Sequence, residues 1–205
     1  VLPLGEIVAR ARAAGLVTVV DGAHAPAQVP VDVEALGADF YAGNCHKWLC
    51  APKGAGFLHA RPERQERVDA AIVSWGYEAG RTFSERIELQ GTRDVAAWLA
   101  VPDAIAFQAE HDWDVLRSRA RALALDARSE LCALLGTEPI APAEMVAQMA
   151  TVRLPRPDPE LTSRLLAEHR IEIPVVGRDR DHLRLSVAAY TTREEIDRLV
   201  SALAR

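Results

Sequence analysis

The sequence predicts an α/β fold: a mostly parallel sheet covered by helices, followed by a smaller α+β module. Three observations carry this. Across the first hundred residues, helical periodicity alternates with short apolar runs. A change of pattern falls at Pro102 and at the polar His111-Asp-Trp-Asp stretch. Beyond it, short strands and amphipathic helices follow one another closely. The expected division is therefore 1–110 and 111–205, the latter a small C-terminal α+β domain entered through a long linking helix.

The elements follow in order. Leu4, Ile7, Val8 and Ala11 recur at helical spacing and Gly15 stops the helix, after which Leu16 to Val20 reads as a buried strand. Val33 to Leu36 is a turn or short helix, Asp39 to Ala42 a second strand, and Gly54-Ala-Gly56 introduces a third at Phe57 to His59. Asp94 can cap a helix running to about Glu110, bent at Pro102. Trp113 to Leu135 is a long amphipathic helix ended by Gly136. Then come strand Ala150 to Leu154, helix Pro159 to Arg170, strands Ile171 to Val176 and Leu183 to Ala188, and a helix from Arg193 opened by a Thr192/Glu195 capping box.

Composition excludes several classes of function. The chain is 49% hydrophobic and 26% charged, with a net charge of -5 and no long run of either sign. Nucleic acid and an anionic membrane surface are poor partners for it. No apolar run is long enough to span a bilayer, no signal peptide is evident, and Cys45, Cys50 and Cys132 are too few for a disulfide framework. The cytoplasm is the expected compartment. The chain lacks an initiating Met and enters a helix directly, so it is expected to be a piece of a longer protein.

In open α/β sheets ligands meet the carboxyl ends of strands. Asp21 directly follows one apolar run, and Lys47 follows the next strand by a few residues. By spacing alone, an acid near a lysine is a structural ion pair more often than a pair that works on a pyridoxal phosphate ring. The surrounding residues reverse that preference. From Val19 to Leu58 the chain reads VVDGAHAPAQVPVDVEALGADFYAGNCHKWLCAPKGAGFL. This segment resembles the fold-type I, class V aminotransferase family, within it the isopenicillin N epimerase-like branch, and the resemblance extends along essentially the whole chain.

The resemblance implies a fold like that of the pyridoxal phosphate-dependent transferases, with 1–110 as the C-terminal part of the cofactor-binding large domain. It implies that Lys47 carries pyridoxal 5'-phosphate in Schiff-base linkage, that Asp21 keeps the pyridine nitrogen protonated and that His24 lies against the phenolic oxygen. Asn44 and His46, in Gly-Asn-Cys-His-Lys, occupy positions that bind the phosphate in relatives, many of which have Ser in place of Asn44. Gly91 and Thr92 match residues that reach across a dimer interface to the partner's cofactor phosphate, which implies a homodimer with a shared site. Arg184, in Leu-Arg-Leu-Ser, matches the arginine that grips a substrate α-carboxylate, for which a guanidinium offers two parallel hydrogen bonds.

Rival sites are weaker. His24, Cys45, His46 and Cys50 fit no common zinc spacing, so no metal is expected. The glycines of Pro-Lys-Gly-Ala-Gly lack a phosphate-loop pattern and read as a tight turn after Lys47. Trp75 to Tyr77 could line a pocket mouth but read better as core, and Trp98 and Phe107 as packing.

Loss of an α-proton on this cofactor can lead to racemisation, transamination or β-elimination, and the pocket chooses. The region IEIPVVGRDRDHLRLS holds no cysteine, which disfavours a persulfide-forming desulfurase. The expected activity is epimerisation or racemisation of an amino acid or aminoacyl group, with Lys47 moving the α-proton on one face. The alternatives are a C-S lyase or aminotransferase of the same family, or a non-catalytic fragment lacking the upstream part of the site.

Overall fold

The computed structural model describes residues 1–78 and 80–204. The chain divides into two compact units, Pro3–Glu110 in one and the chain from His111, with Val1–Leu2, in the other.

The first unit opens with α1 (Leu4–Ala13) and β1 (Val19–Asp21), followed by α2 (Val33–Leu36), β2 (Phe40–Asn44) and β3 (Gly56–Ala60). The predicted strand from Leu16 is shorter than expected because its first residue closes the helix: Gly15 takes φ +69° and the Leu16 amide returns to Ala11 O. Leu16 and Val17 are exposed, and so is Val19 at 74%. Only Val20 of β1 is buried, packing with Val8, Ala38 and Tyr41 under α1 and α2. In the sheet, ordered β1-β2-β3, β1 and β2 run parallel whereas β2 and β3 are antiparallel. The sheet is thus mixed where a mostly parallel one was anticipated, since the short Lys47 loop can return the chain only as an antiparallel neighbour.

After the sheet come α3 (Phe83–Glu88), α4 (Ala96–Leu99) and α5 (Val101–Glu110). A Thr82/Glu85 capping box opens α3. The single bent helix expected from Asp94 is divided at Ala100, two residues before Pro102, whose ring cannot follow a regular turn. Asp94 still accepts the Ala96 amide at 2.8 Å.

The second unit holds α6 (Trp113–Leu135), β4 (Met149–Arg153), α7 (Leu161–His169), β5 (Val175–Val176), β6 (His182–Ser186) and α8 (Arg193–Leu203). Its antiparallel sheet, ordered β4-β6-β5, packs on α6, α7 and α8 around Leu131, Val152, Leu183 and Val187. Gly136 closes α6 in the left-handed region at φ +63°, and the Thr192/Glu195 box opens α8. The strand anticipated from Ile171 reduces to two residues. Arg170 turns left-handed, the Ile171 amide caps α7 at Leu165 O, and Pro174 has no amide to offer a ladder. Among the described residues, no helix is long and apolar enough to cross a membrane.

One carboxylate sets the register of the first sheet. Asp39, with its side chain 8% exposed, accepts the Thr18 amide at 2.8 Å, the Thr18 hydroxyl at 3.0 Å and Arg64 Nε at 2.6 Å. Its own amide donates to Thr18 Oγ1 at 2.9 Å. These bonds, the Thr18 amide first and Arg64 next, hold the Asp39 carboxyl down from 3.8 to about 2 against the opposing effect of burial. Replacing Asp39 with Ala strands these donors, and is expected to lower stability by about 1–3 kcal/mol in denaturant unfolding at neutral pH. A group with a folded pKa below its unfolded value stabilises above the unfolded pKa. The gap between wild type and Asp39→Ala should therefore be complete at neutral pH and narrow as pH falls from 3.8 toward 2.

Candidate active site

Parallel pairing brings two chain segments to the same end of the sheet. Asp21 lies opposite Ala42, and the Gly22 amide extends the ladder to Ala42 O at 2.8 Å. Alternation along β2 then puts Asp21, Ala42 and Asn44 on the face away from Tyr41 and Gly43. Lys47 follows three residues beyond Asn44.

Each segment is fixed locally. Asp21 Oδ1 accepts the Ala23 amide at 2.9 Å, and the Ala25 amide returns to Gly22 O at 2.8 Å, making a tight turn. Gln28 Nε2 donates to the His24 carbonyl at 2.7 Å. In the lysine loop the Cys45 amide bonds Ala55 O, the Ala51 amide bonds Cys45 O and the Cys50 amide bonds Lys47 O, all at 3.0–3.1 Å. Cys50 takes φ +64° to close the turn. Beneath the loop Cys45, Ala51 and Ala55 are buried against Leu49, Ala97, Val101 and Ala104. Gln108 of α5 donates to the Trp48 carbonyl at 2.9 Å.

Lys47 Nζ then lies 3.4 Å from His24 Nε2, and the Trp48 indole N–H donates to His24 Nδ1 at 3.2 Å. His46 Nδ1 lies 3.2 Å from Ala55 O. A carbonyl only accepts, so His46 donates through Nδ1. Asn44 ends β2 opposite Gly56 and is half-buried. Gly91 and Thr92 lie apart on an exposed turn, Gly91 at φ +87°, ahead of the four-residue α4. Arg184 belongs to the second unit, on the β6 face opposite buried Leu183 and Leu185. Its Nε is buried and has no hydrogen-bond partner among the described residues.

Other predicted positions resolve differently. Trp75 is 74% exposed, on a short tight turn at Trp75–Tyr77, and is not core. Trp98 is only partly covered: its indole donates to Gly56 O at 3.3 Å and Arg93 stacks 4.7 Å above its ring centroid. Phe107 is half exposed. Burial pushes the Cys45 thiol up, away from the thiolate that a metal or nucleophile role requires. Among the described residues no group of three or more His, Cys, Asp or Glu could hold a metal ion.

Sequence reasoning passed over Trp48, Gln108 and Tyr41. An indole immediately after the lysine was the available signal for Trp48. Tyr41 is buried under the Asp21 turn, stacked on Phe57 with centroids 6.2 Å apart. Burial raises its hydroxyl pKa, and the Asp21 charge adds to the effect. A Cβ at Gly22 would stand 2.1 Å from the Tyr41 ring, so only glycine lets the ring underpin this turn.

The class-V aminotransferase family model matches residues 1–199. The chain belongs to that family. It is 42% identical to isopenicillin N epimerase of Streptomyces clavuligerus, over 99% of this chain and 56% of that protein. It is 31% identical to a putative L-cysteine desulfhydrase of Oryza sativa, over 100% of this chain and 49% of that one. The apo cysteine desulfurase of Thermococcus onnurineus superimposes with a TM-score of 0.83 at 20% identity, covering 98% of this chain and 55% of that structure. The chain thus spans about half the length of the relatives it matches. Class-V aminotransferases are pyridoxal phosphate enzymes, and the structural likeness supports an α/β transferase-type fold.

Gly22→Ala is expected to cost about 1–3 kcal/mol through overpacking. The added Tyr41→Leu change should recover part of that loss, which denaturant unfolding of the single and double variants would show as non-additivity.

Proposed function

We propose that this chain carries the lysine-bearing part of a pyridoxal phosphate site that epimerises an amino acid or aminoacyl substrate at its α-carbon. The observation that carries this reading is the Lys47–His24 contact at 3.4 Å, at the strand end where Asp21 also emerges. The donor set suits the cofactor: a primary amine, an imidazole and a carboxylate at one sheet end. The buried, unpartnered Nε of Arg184 suits a carboxylate ligand.

In this reading Lys47 attaches the cofactor and moves a proton at the substrate α-carbon on one face. Asp21 holds a proton at the ring nitrogen, and His24 faces the phenolic oxygen. Asn44 and His46 bind the phosphate, His46 being steadied by its bond to Ala55 O. Arg184 receives the α-carboxylate. Pyridoxal phosphate, when bound, supplies an electron sink for the pair left at the α-carbon. Residues 1–110 form part of the cofactor-binding domain and 111–205 the small domain. Gly91 and Thr92, exposed on their turn, serve the cofactor phosphate of a partner subunit in a homodimer. The three free cysteines suit a reducing compartment, and we place the protein in the cytoplasm.

Epimerisation is preferred because of the 42% identity with isopenicillin N epimerase across nearly the whole chain. A C-S lyase is the second reading, favoured by the 31% identity with a putative cysteine desulfhydrase. The segment Ile171 to Ser186 holds no cysteine for a persulfide.

Pyridoxal phosphate added to the purified chain should give the visible band of a lysine-bound cofactor, and Lys47→Ala should not. In D2O, α-proton exchange of an amino-acid substrate should fall at least about 10²-fold in Lys47→Ala. Arg184→Lys should raise the half-saturating substrate concentration about tenfold, because a point charge replaces a planar fork. Pyruvate and sulfide released from cysteine would favour the lyase over the epimerase. A band unchanged in Lys47→Ala would refute both.

A further inference from the structure

The proposed site leaves one polar contact unused. The Trp48 indole N–H lies 3.2 Å from His24 Nδ1, while Lys47 Nζ stands 3.4 Å from the opposite ring nitrogen. An indole nitrogen only donates. Nδ1 of His24 is therefore the lone-pair nitrogen, and in the neutral ring the hydrogen sits on Nε2, the edge facing Lys47; because an ammonium also only donates, this arrangement requires Lys47 as the neutral amine, accepting from Nε2, or bound to the cofactor. We infer that Trp48 is a positioning residue that fixes the tautomer and ring orientation of His24, so that the imidazole presents a hydrogen-bond donor where Lys47 holds the cofactor.

The anchoring of Trp48 supports this. Its carbonyl is held by Gln108 Nε2 at 2.9 Å, and its loop is closed by the Lys47–Cys50 turn over the Ala51 and Ala55 core. The His24 backbone is separately tied by Gln28 at 2.7 Å. Both partners are thus held from their main chains, and the indole N–H meets the imidazole on the edge away from Lys47. A donor at Nε2 suits an anionic oxygen such as the phenolate of pyridoxal phosphate, and an acceptor there would oppose it. The inference rests on the proposed cofactor site for its use, but the Trp48–His24 contact belongs to the cofactor-free chain and can be read there once the competing Lys47 ammonium is removed.

The test is 15N NMR of cofactor-free Lys47→Ala protein labelled at histidine and tryptophan, which removes the competing donor, with the His24 signals assigned through His24→Gln. This protein should show Nε2–H, with Nδ1 unprotonated and a scalar coupling from Trp48 Nε1 to His24 Nδ1 across the hydrogen bond. With Trp48→Phe added, the ratio of Nε2–H to Nδ1–H should fall about fivefold, the worth of one hydrogen bond. In the protein that keeps Lys47, Trp48→Phe alone should shift the visible band of the lysine-bound cofactor. An Nδ1–H signal in Lys47→Ala, or equal tautomer ratios with and without Trp48→Phe, would overturn the inference. If the double variant does not fold, the tautomer and coupling in Lys47→Ala decide alone. Failure of the cofactor to bind, with the tautomer as stated, would instead count against the proposed function and leave this assignment standing.

Discussion

The carboxylate of Asp39 ties the start of β1 to the start of β2 through both polar groups of Thr18, and Arg64 braces its other oxygen. Strand pairing has a side-chain period of two, so a slip of one residue would turn Asp21 to the opposite face. β1 has three residues, too few for its ladder to resist such a slip by hydrogen bonds alone. A buried, charge-assisted clamp at its entry supplies what strand length does not. The position of Asp21 relative to the lysine loop thus depends on a residue that touches neither.

Beyond β2 precision comes by a different means. The segment carrying Lys47 is a loop, yet the amides of Cys45, Cys50 and Ala51 find carbonyls within the segment or on Ala55, and its apolar residues rest on α4 and α5. Dividing the helix at Ala100 gives two short pieces, so that Ala97 and Val101 both reach the loop. Side chains held by packed neighbours keep a reactive amine in place better than a mobile surface loop would. Gly22 plays the matching role on the Asp21 side by admitting the Tyr41 ring.

Much of this was legible in the sequence, and what escaped has definite causes. The boundaries of α6 followed from amphipathic periodicity and Gly136, and the capping box of α8 from Thr192 and Glu195, because those signals act within one turn of chain. Leu16 to Val20 and Ile171 to Val176 read as long strands because apolar runs do not reveal that Leu16 and Ile171 are consumed in closing helices. The antiparallel direction of β3 depends on loop geometry, which composition does not encode. At the site, motif resemblance singled out Lys47 and His24 one by one and the structure sets them 3.4 Å apart, whereas the Trp48 indole and the Asp39 clamp are tertiary contacts spanning 24 and 21 residues. The buried Nε of Arg184 likewise became visible only in the packed sheet.

In the proposed function one amine, held beside His24, is the attachment point for the cofactor. The sequence contains two lysines, Lys47 and Lys53, which makes a direct measurement clean. Pyridoxal phosphate is added at low stoichiometry, reduced in place with borohydride, and the modified peptide identified by mass spectrometry. The tag should fall on Lys47, with little on Lys53 or the terminal amine. A tag confined to Lys53 or the terminus, with Lys47 unmodified, would rule Lys47 out as the attachment point.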